Sequence, residues 1–170
     1  LQTLTELDLP ENNIIDLPEN VFEELVLLKK LSLDRNHISI LELNIFAKNI
    51  DLEEISLSFN HLYFIHEKTF VNLINLKHLY LSGNKLEHLQ SLIFEKNTNL
   101  EVIDVKFNRL KYIPENIFDN NKALNFPKCS FENNVCIAEE KFETLDDFKA
   151  KIASTCKPLL YDEMKSLMEK

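Results

Sequence analysis

Histidine and cysteine are the side chains that most often carry catalysis or hold a metal ion, and this chain has five histidines and three cysteines. The spacing of the histidines matches no metal-ligand motif; they are His37, His61, His66, His78 and His88. No GxSxG turn or paired-carboxylate constellation occurs, and no cysteine has a histidine placed to act as its base. The sequence therefore predicts no catalytic site, no metal site and no cofactor.

Composition excludes further classes of function. The chain has 170 residues but only one glycine, Gly83, so a glycine loop that cradles phosphate is excluded. The formal net charge of -9 argues against a nucleic-acid partner, because phosphate binding needs a basic face. No stretch approaches the roughly 18 uninterrupted apolar residues of a membrane span.

An internal repeat identifies the elements that must position any functional side chain. Five segments match LxxLxLxxNxL, with Ile or Val in place of some leucines, and they recur every 24 residues. The alternating apolar residues predict short strands with one buried face, and the fixed period stacks these strands in parallel about 4.7–4.9 Å apart. Phenylalanines recur at the same interval in the second half of each unit: Phe22, Phe46, Phe70, Phe94 and Phe118.

The repeated asparagine and phenylalanine have separate predicted roles. Each asparagine follows its strand, where its amide can bond backbone groups of neighbouring coils that would otherwise be buried without partners. We predict a structural ladder of six asparagines, the last after a repeat lengthened by two residues: Asn12, Asn36, Asn60, Asn84, Asn108 and Asn134. The phenylalanines are predicted to stack as a spine, because a single coil cannot bury its own apolar face.

The pattern resembles the leucine-rich repeat family, in the 24-residue form usual in extracellular proteins. The resemblance implies an α/β solenoid, a leucine-rich repeat horseshoe with short parallel strands on the concave face and a helical C-terminal cap. We expect about six repeats over residues 1–136, the first incomplete at its N-terminal side, and a helical cap and tail over residues 137–170. We also expect the chain to be the C-terminal part of a longer array of repeats.

The cysteines extend this resemblance. Cys136 and Cys156 flank a segment whose apolar residues recur at helical spacing, an arrangement similar to the C-terminal cap of secreted and receptor leucine-rich repeat proteins. The small two-cysteine form resembles insect secreted leucine-rich immune proteins, and the repeats also resemble Toll-like receptor ectodomains. The resemblance implies a disulfide between these two cysteines and an extracellular location. Cys129 takes an inward leucine position, which favours a buried thiol over a reactive or intermolecular one.

The last residues, 159–170, leave two interpretations open. Leu160, Met164, Leu167 and Met168 fall on one side of a helix. This pattern fits a short helix docked on the cap, and it also fits the start of a coiled coil that dimerises the chain.

Outward positions of the repeat indicate where a protein partner would bind. Tyr80 stands among small and charged residues, and a rigid amphipathic ring is a favoured anchor of protein interfaces. We predict a partner-binding patch on the concave face formed by Tyr80, Phe59, Phe107, Val102, Ser56, Ser58 and Ser82. The alternative for the two phenylalanines is that each ring folds against its own turn.

A second candidate surface is the column that follows the ladder asparagine. Its residues are His37, His61, Lys85 and Arg109. A basic column on an acidic protein could steer an acidic partner, or it could be a set of solvated charges.

The predicted function is that of an extracellular protein-binding module. Innate immunity or cell-surface signalling is the biology that the resemblance implies, since a repeat fold by itself names no ligand. Two alternatives remain open: a structural or matrix repeat protein, and a fragment of a Toll-like transmembrane receptor ectodomain.

Overall fold

The structure of the protein is a computed structural model that describes residues 2–129, 131–132, 134 and 142–155. Each repeat contributes one strand of three residues: β1 (Glu6–Asp8), β2 (Lys30–Ser32), β3 (Glu54–Ser56), β4 (His78–Tyr80) and β5 (Val102–Asp104). A short 3-10 helix spans Phe126–Lys128, and helix α1 spans Leu145–Thr155.

The five strands form one parallel sheet in sequence order. Every pairing joins residues 24 apart, as in Leu31 opposite Ile55 and Ile55 opposite Leu79, so the register follows the repeat directly. The middle residue of each strand points into the core, and the two residues beside it point out. The prediction of a leucine-rich repeat solenoid with short parallel strands on one face is confirmed.

The phenylalanine column lies on the far side of the core from the sheet. Its five rings are buried, and neighbouring rings are stacked with their centroids 5.7–6.4 Å apart. At the C-terminal end the last ring of the column, Phe118, contacts Phe126, Phe131 and Phe148. This aromatic cluster joins the repeats to helix α1.

The ladder asparagines connect each coil, meaning one 24-residue turn of the solenoid, to the coil before it. Asn60 donates from Nδ2 to the carbonyl of Leu33 at 2.9 Å and to that of Leu57 at 3.2 Å. Its Oδ1 accepts from the backbone N–H of Ile38 at 3.0 Å. The equivalent bonds recur at Asn36, Asn84, Asn108 and Asn134.

The first coil differs because β1 is the edge of the sheet among the described strands. Asn12 is exposed there, and the hydrogen bonds seen for its side chain go to the carbonyls of Leu9 and Pro10 in its own turn. Leu7 is only half-buried, whereas its counterparts in the other four strands are fully buried.

A second group of asparagines also connects coils, and sequence reasoning did not identify it. Asn49, Asn97 and Asn121 are buried three residues after a spine phenylalanine. Asn49, for example, donates from Nδ2 to the carbonyls of Phe22 and Leu25, each at 2.9 Å. The sequence signal that could have identified these three asparagines is their common repeat position, which leucines occupy in two other coils.

Helix α1 begins with a capping threonine. The backbone N–H of Asp147 donates to the hydroxyl of Thr144 at 3.1 Å. Two aspartates in the first turn interact favourably with the positive end of the helix dipole. Phe148 and Ile152 face the core. Cys129 is also buried, which raises the pKa of its thiol to about 11. The predicted disulfide between Cys136 and Cys156 and the tail at 159–170 lie outside the described residues.

Candidate protein-binding surface

The outward side chains of the five strands, with the residue before each strand, form what we call the sheet surface. Side chains alternate along a strand, so this surface carries the residues on either side of each buried apolar position. Its central strand residues are Glu54, Ser56, His78, Tyr80, Val102 and Asp104.

Charges on the sheet surface are paired across neighbouring strands. Lys77 donates from Nζ to Glu53 at 2.8 Å, and Lys29 lies 3.6 Å from the same carboxylate. The hydrogen bond from Lys77 lowers the pKa of Glu53. His78 lies between two acids, with Nδ1 3.2 Å from Glu54 and Nε2 3.9 Å from Glu101. These exposed pairs contribute little stability.

Tyr80 lies in the middle of these charged residues. It is half-buried, opposite Ser56 on one neighbouring strand and Asp104 on the other, and its ring centroid is 6.4 Å from that of His78. Partial burial raises the pKa of its hydroxyl, and the negative charges of Glu54 and Asp104 raise it further. The hydroxyl therefore stays protonated at neutral pH and can both donate and accept a hydrogen bond.

The residue before each of the first five ladder asparagines has a left-handed backbone. The φ angles lie between +53° and +66° along the column Glu11, Arg35, Phe59, Gly83 and Phe107. The ring of Phe59 lies over Gly83, where an added Cβ would be 2.6 Å from Cδ1 of the ring. The Cζ of Arg35 lies 4.9 Å from the centroid of the same ring on its other side. Phe59 therefore packs against the following turn, rather than against its own.

The contact between Phe59 and Gly83 gives a direct stability test. Gly83→Ala places a Cβ too close to the ring of Phe59, and it does so on a backbone with a positive φ. We expect it to lower the free energy of unfolding by about 2 kcal/mol. In a Phe59→Ala background the clash is absent, so the cost of Gly83→Ala should fall to about 1 kcal/mol, the backbone strain alone. Urea unfolding of the four proteins in this double-mutant cycle measures the coupling. Equal costs in both backgrounds would contradict the packing of the ring over Gly83.

Burial removes two predicted partner-contacting side chains from the accessible surface. Ser58 is 7% exposed and Ser82 is 3% exposed, whereas the longer side chains of Asp34 and Lys106 at the same repeat position are half-buried. Ser56 is half-buried and donates its hydroxyl to Asp34 at 2.6 Å. The same Oδ1 of Asp34 accepts the backbone N–H of Ser58 at 2.7 Å, so the hydroxyl of Ser56 is already bonded to an acid that Ser58 helps to position.

Three other members of the predicted patch remain accessible beside Tyr80. Phe59 is 46% exposed and Phe107 is 50% exposed, while Val102 is half-buried on β5. With one face of Phe59 packed on Gly83, Phe107 presents the larger free ring. The accessible patch is therefore Tyr80, Val102, Phe107 and the exposed part of the Phe59 ring.

The second predicted column lies outside the strands. His37, His61, Lys85 and Arg109 are all exposed, and the rings of the two histidines are 5.4 Å apart with a tilt of 38°. Backbone hydrogen bonds between coils place them at equivalent positions, as in His61 N–H to the carbonyl of Ile38.

Within the described residues, no three His, Cys, Asp or Glu side chains come together in a way that could hold a metal ion. Two of the surface depressions have volumes of about 280 and 230 Å³. Small-molecule sites are usually about 300–1,000 Å³, so both depressions are smaller than such sites. In the same part of the chain, no helix has the length and apolar character needed to cross a membrane.

Comparisons with solved structures give matches to other repeat proteins. One chain of the LRIM1/APL1C complex matches with 35% identity and a TM-score of 0.61 over 66% of this chain. One chain of the Toll–Spatzle complex from Drosophila matches with 26% identity and a TM-score of 0.65 over 72%. The Leptospira interrogans leucine-rich repeat protein LIC12759 matches with 27% identity and a TM-score of 0.72 over 94%.

These matches are to parts of longer proteins. This chain covers 20%, 16% and 38% of the three matched chains, in the order given above. No curated protein sequence matches the chain. A family model described as a BspA-type leucine-rich repeat region, with six copies, matches residues 1–125 and 40–156. The chain therefore belongs to the leucine-rich repeat proteins of the BspA type.

Proposed function

We propose that this protein is an extracellular protein-binding module whose partner sits on the sheet surface around Tyr80. The observation that carries the proposal is the environment of that ring. The ring is half-buried at the end of β4, opposite Ser56 and Asp104, and its hydroxyl can both donate and accept a hydrogen bond. A rigid amphipathic ring in such a position is typical of residues that dominate a protein interface.

The similar structures support this role. Their titles describe an LRIM1/APL1C complex and a Toll–Spatzle complex, the latter as a molecular hub in Drosophila development and innate immunity. We infer from them a role in innate immunity or cell-surface signalling, in a secreted protein or a receptor ectodomain. The predicted disulfide between Cys136 and Cys156 would suit that oxidising location.

Of two other proposals, one is distinguished by the sheet surface and the other by the neighbouring sequence of the gene. A structural or matrix protein would not depend on one aromatic side chain of the sheet surface for its interactions. A fragment of a Toll-like transmembrane receptor would bind as proposed here, and the neighbouring sequence of its gene would encode a membrane span.

Tyr80→Ala is expected to weaken binding of the partner by about 2 kcal/mol or more, chiefly through faster dissociation. A photoreactive phenylalanine analogue placed at position 80 identifies the partner by cross-linking in the native extracellular fluid. The same analogue at position 48, where an exposed lysine lies away from the sheet surface, is the control. Surface plasmon resonance with the recovered protein then measures both rates for the variant.

The proposal fails if cross-linking from position 48 recovers the same protein as cross-linking from position 80. It also fails if Tyr80→Ala leaves the dissociation rate unchanged. Phe107→Ala should have a smaller effect in the same direction, because its ring belongs to the accessible patch but is more exposed than that of Tyr80.

A further inference from the structure

One flank of the solenoid carries a continuous basic column. His37, His61, Lys85 and Arg109 occupy the same position on four successive coils, and all four are exposed. No carboxylate of the described residues lies within 4.0 Å of Lys85 or Arg109. The hydrogen bond from Lys111, 2.6 Å long, lowers the pKa of Glu87, and the charge of Arg109 lowers it slightly further. This carboxylate is therefore already paired.

Exposed apolar side chains lie beside this column. Two to three residues after the ladder-following position of the first three coils, the chain presents Ile15, Ile40, Tyr63 and Phe64, each between 44% and 58% exposed. The backbone N–H of Tyr63 reaches the carbonyl of Ser39 on the preceding coil, so these side chains project from adjacent coils. We call the basic column and these four side chains the basic flank.

The basic flank differs in its charge balance from the sheet surface. On the sheet surface the lysines lie close to carboxylates, as in Lys30 with Glu6 at 3.7 Å and Lys106 with Asp104 at 3.6 Å. On the flank the positive charges lack such partners within the described residues, although the whole chain carries a net charge of -9. A local excess of positive charge on an acidic protein is complementary to a small acidic ligand.

We propose that the basic flank is a second protein-binding surface, distinct from the patch around Tyr80, and that it binds an acidic polypeptide segment with aromatic or aliphatic side chains. The acidic groups would pair with Lys85 and Arg109. The apolar side chains would cover Tyr63 and Phe64, whose exposed rings otherwise contact water.

The acidity of the rest of the molecule favours a short segment over an extended polyanion. A nucleic acid or an anionic membrane would reach beyond the four positions of the column and meet the net negative charge of the chain. A short peptide segment can stay on the flank. The neighbouring apolar side chains also make no contact that would stabilise a bound polyanion.

The test uses a random copolymer of glutamate and tyrosine as the probe, with poly-glutamate, heparin and phosphatidylserine vesicles for comparison. We expect the copolymer to bind more tightly than poly-glutamate, and heparin and the vesicles to bind weakly. Lys85→Glu with Arg109→Glu should slow association of the copolymer by about tenfold or more and reduce its salt dependence. Phe64→Ser should weaken binding by about tenfold without changing the salt dependence.

The matched control is Lys48→Glu with Lys122→Glu. It changes the net charge by the same amount at exposed lysines elsewhere on the chain, and it should bind the copolymer like the parent. Unchanged thermal melting verifies that every variant is folded. Equal loss of binding in the control, equal binding of poly-glutamate, or binding of heparin or vesicles in place of the copolymer would each overturn the proposal.

The histidine pair adds a pH readout. His61 faces His37 on the preceding coil and Lys85 on the following one, and its partial desolvation together with these positive neighbours lowers its pKa. His61 therefore adds positive charge to the column only as the pH falls below the usual histidine pKa, so copolymer binding should be several-fold tighter at about pH 5.5 than at about pH 7.5. His61→Gln should reduce that difference. Tyr80→Ala should leave copolymer binding intact, so failure here is separable from failure of the proposed function.

Discussion

Phe70→Ala is expected to lower the free energy of unfolding by about 3–5 kcal/mol. Phe70 is fully buried in the middle of the spine, stacked on Phe46 at 6.2 Å and on Phe94 at 6.4 Å. Removing its ring leaves a cavity that the neighbours cannot fill, because each is held by its own place in the column. The loss also weakens two inter-coil interfaces at once, and in a solenoid those interfaces supply the stability that single coils lack.

The matched control is the same substitution at an exposed ring. Phe107 is 50% exposed, so Phe107→Ala should cost about 1 kcal/mol or less. Urea titration followed by far-ultraviolet circular dichroism measures both variants, since the chain has no tryptophan to report by fluorescence. If the two variants unfold at the same urea concentration, the spine does not stabilise the fold as described.

The fold was predictable because two periods determine it. The alternation of LxL gives each strand an inward and an outward face, and the 24-residue interval places Leu31, Ile55 and Leu79 opposite one another. A parallel sheet with this register follows without any knowledge of side-chain conformation. The strands proved to be only three residues long, which the sequence pattern did not indicate.

Side-chain length accounts for the error over the serines. Alternation places Ser58 and Ser82 on the outward side of the sheet. At the same repeat position the longer side chains of Asp34 and Lys106 are half-buried, whereas the short side chains of the two serines are covered. The ring of Tyr80 is longer and remains half-buried at the last residue of β4.

Contacts between side chains of different coils were beyond sequence reasoning for a related reason. The ring of Phe59 can lie over the next turn only because the residue 24 positions later is glycine. Such a contact depends on one pair of residues and not on the repeat, so no periodic pattern identifies it. Asn49 and Asn97 were missed for a different reason. They do follow the repeat, but leucines occupy the same repeat position in other coils.

The asparagine ladder leads to a second large effect. Asn60→Ala is expected to lower the free energy of unfolding by about 2–4 kcal/mol. The substitution leaves the buried N–H of Ile38 without the Oδ1 that accepts its hydrogen bond, at a cost of about 1–3 kcal/mol. It also removes the bonds from Nδ2 to the carbonyls of Leu33 and Leu57, whose remaining partners limit the further loss to about 1 kcal/mol.

Asn12 provides a control in the same repeat position. Its side chain is exposed and bonds the carbonyls of Leu9 and Pro10 within its own turn, so Asn12→Ala should cost less than about 1 kcal/mol. Hydrogen exchange of the Ile38 amide adds a local readout, since Asn60→Ala should speed it far more than Asn12→Ala does. A ladder that stabilises by bridging coils requires this difference between identical substitutions. Equal effects at the two positions would mean that each asparagine stabilises only its own turn. The contact between coils would then depend on apolar packing alone.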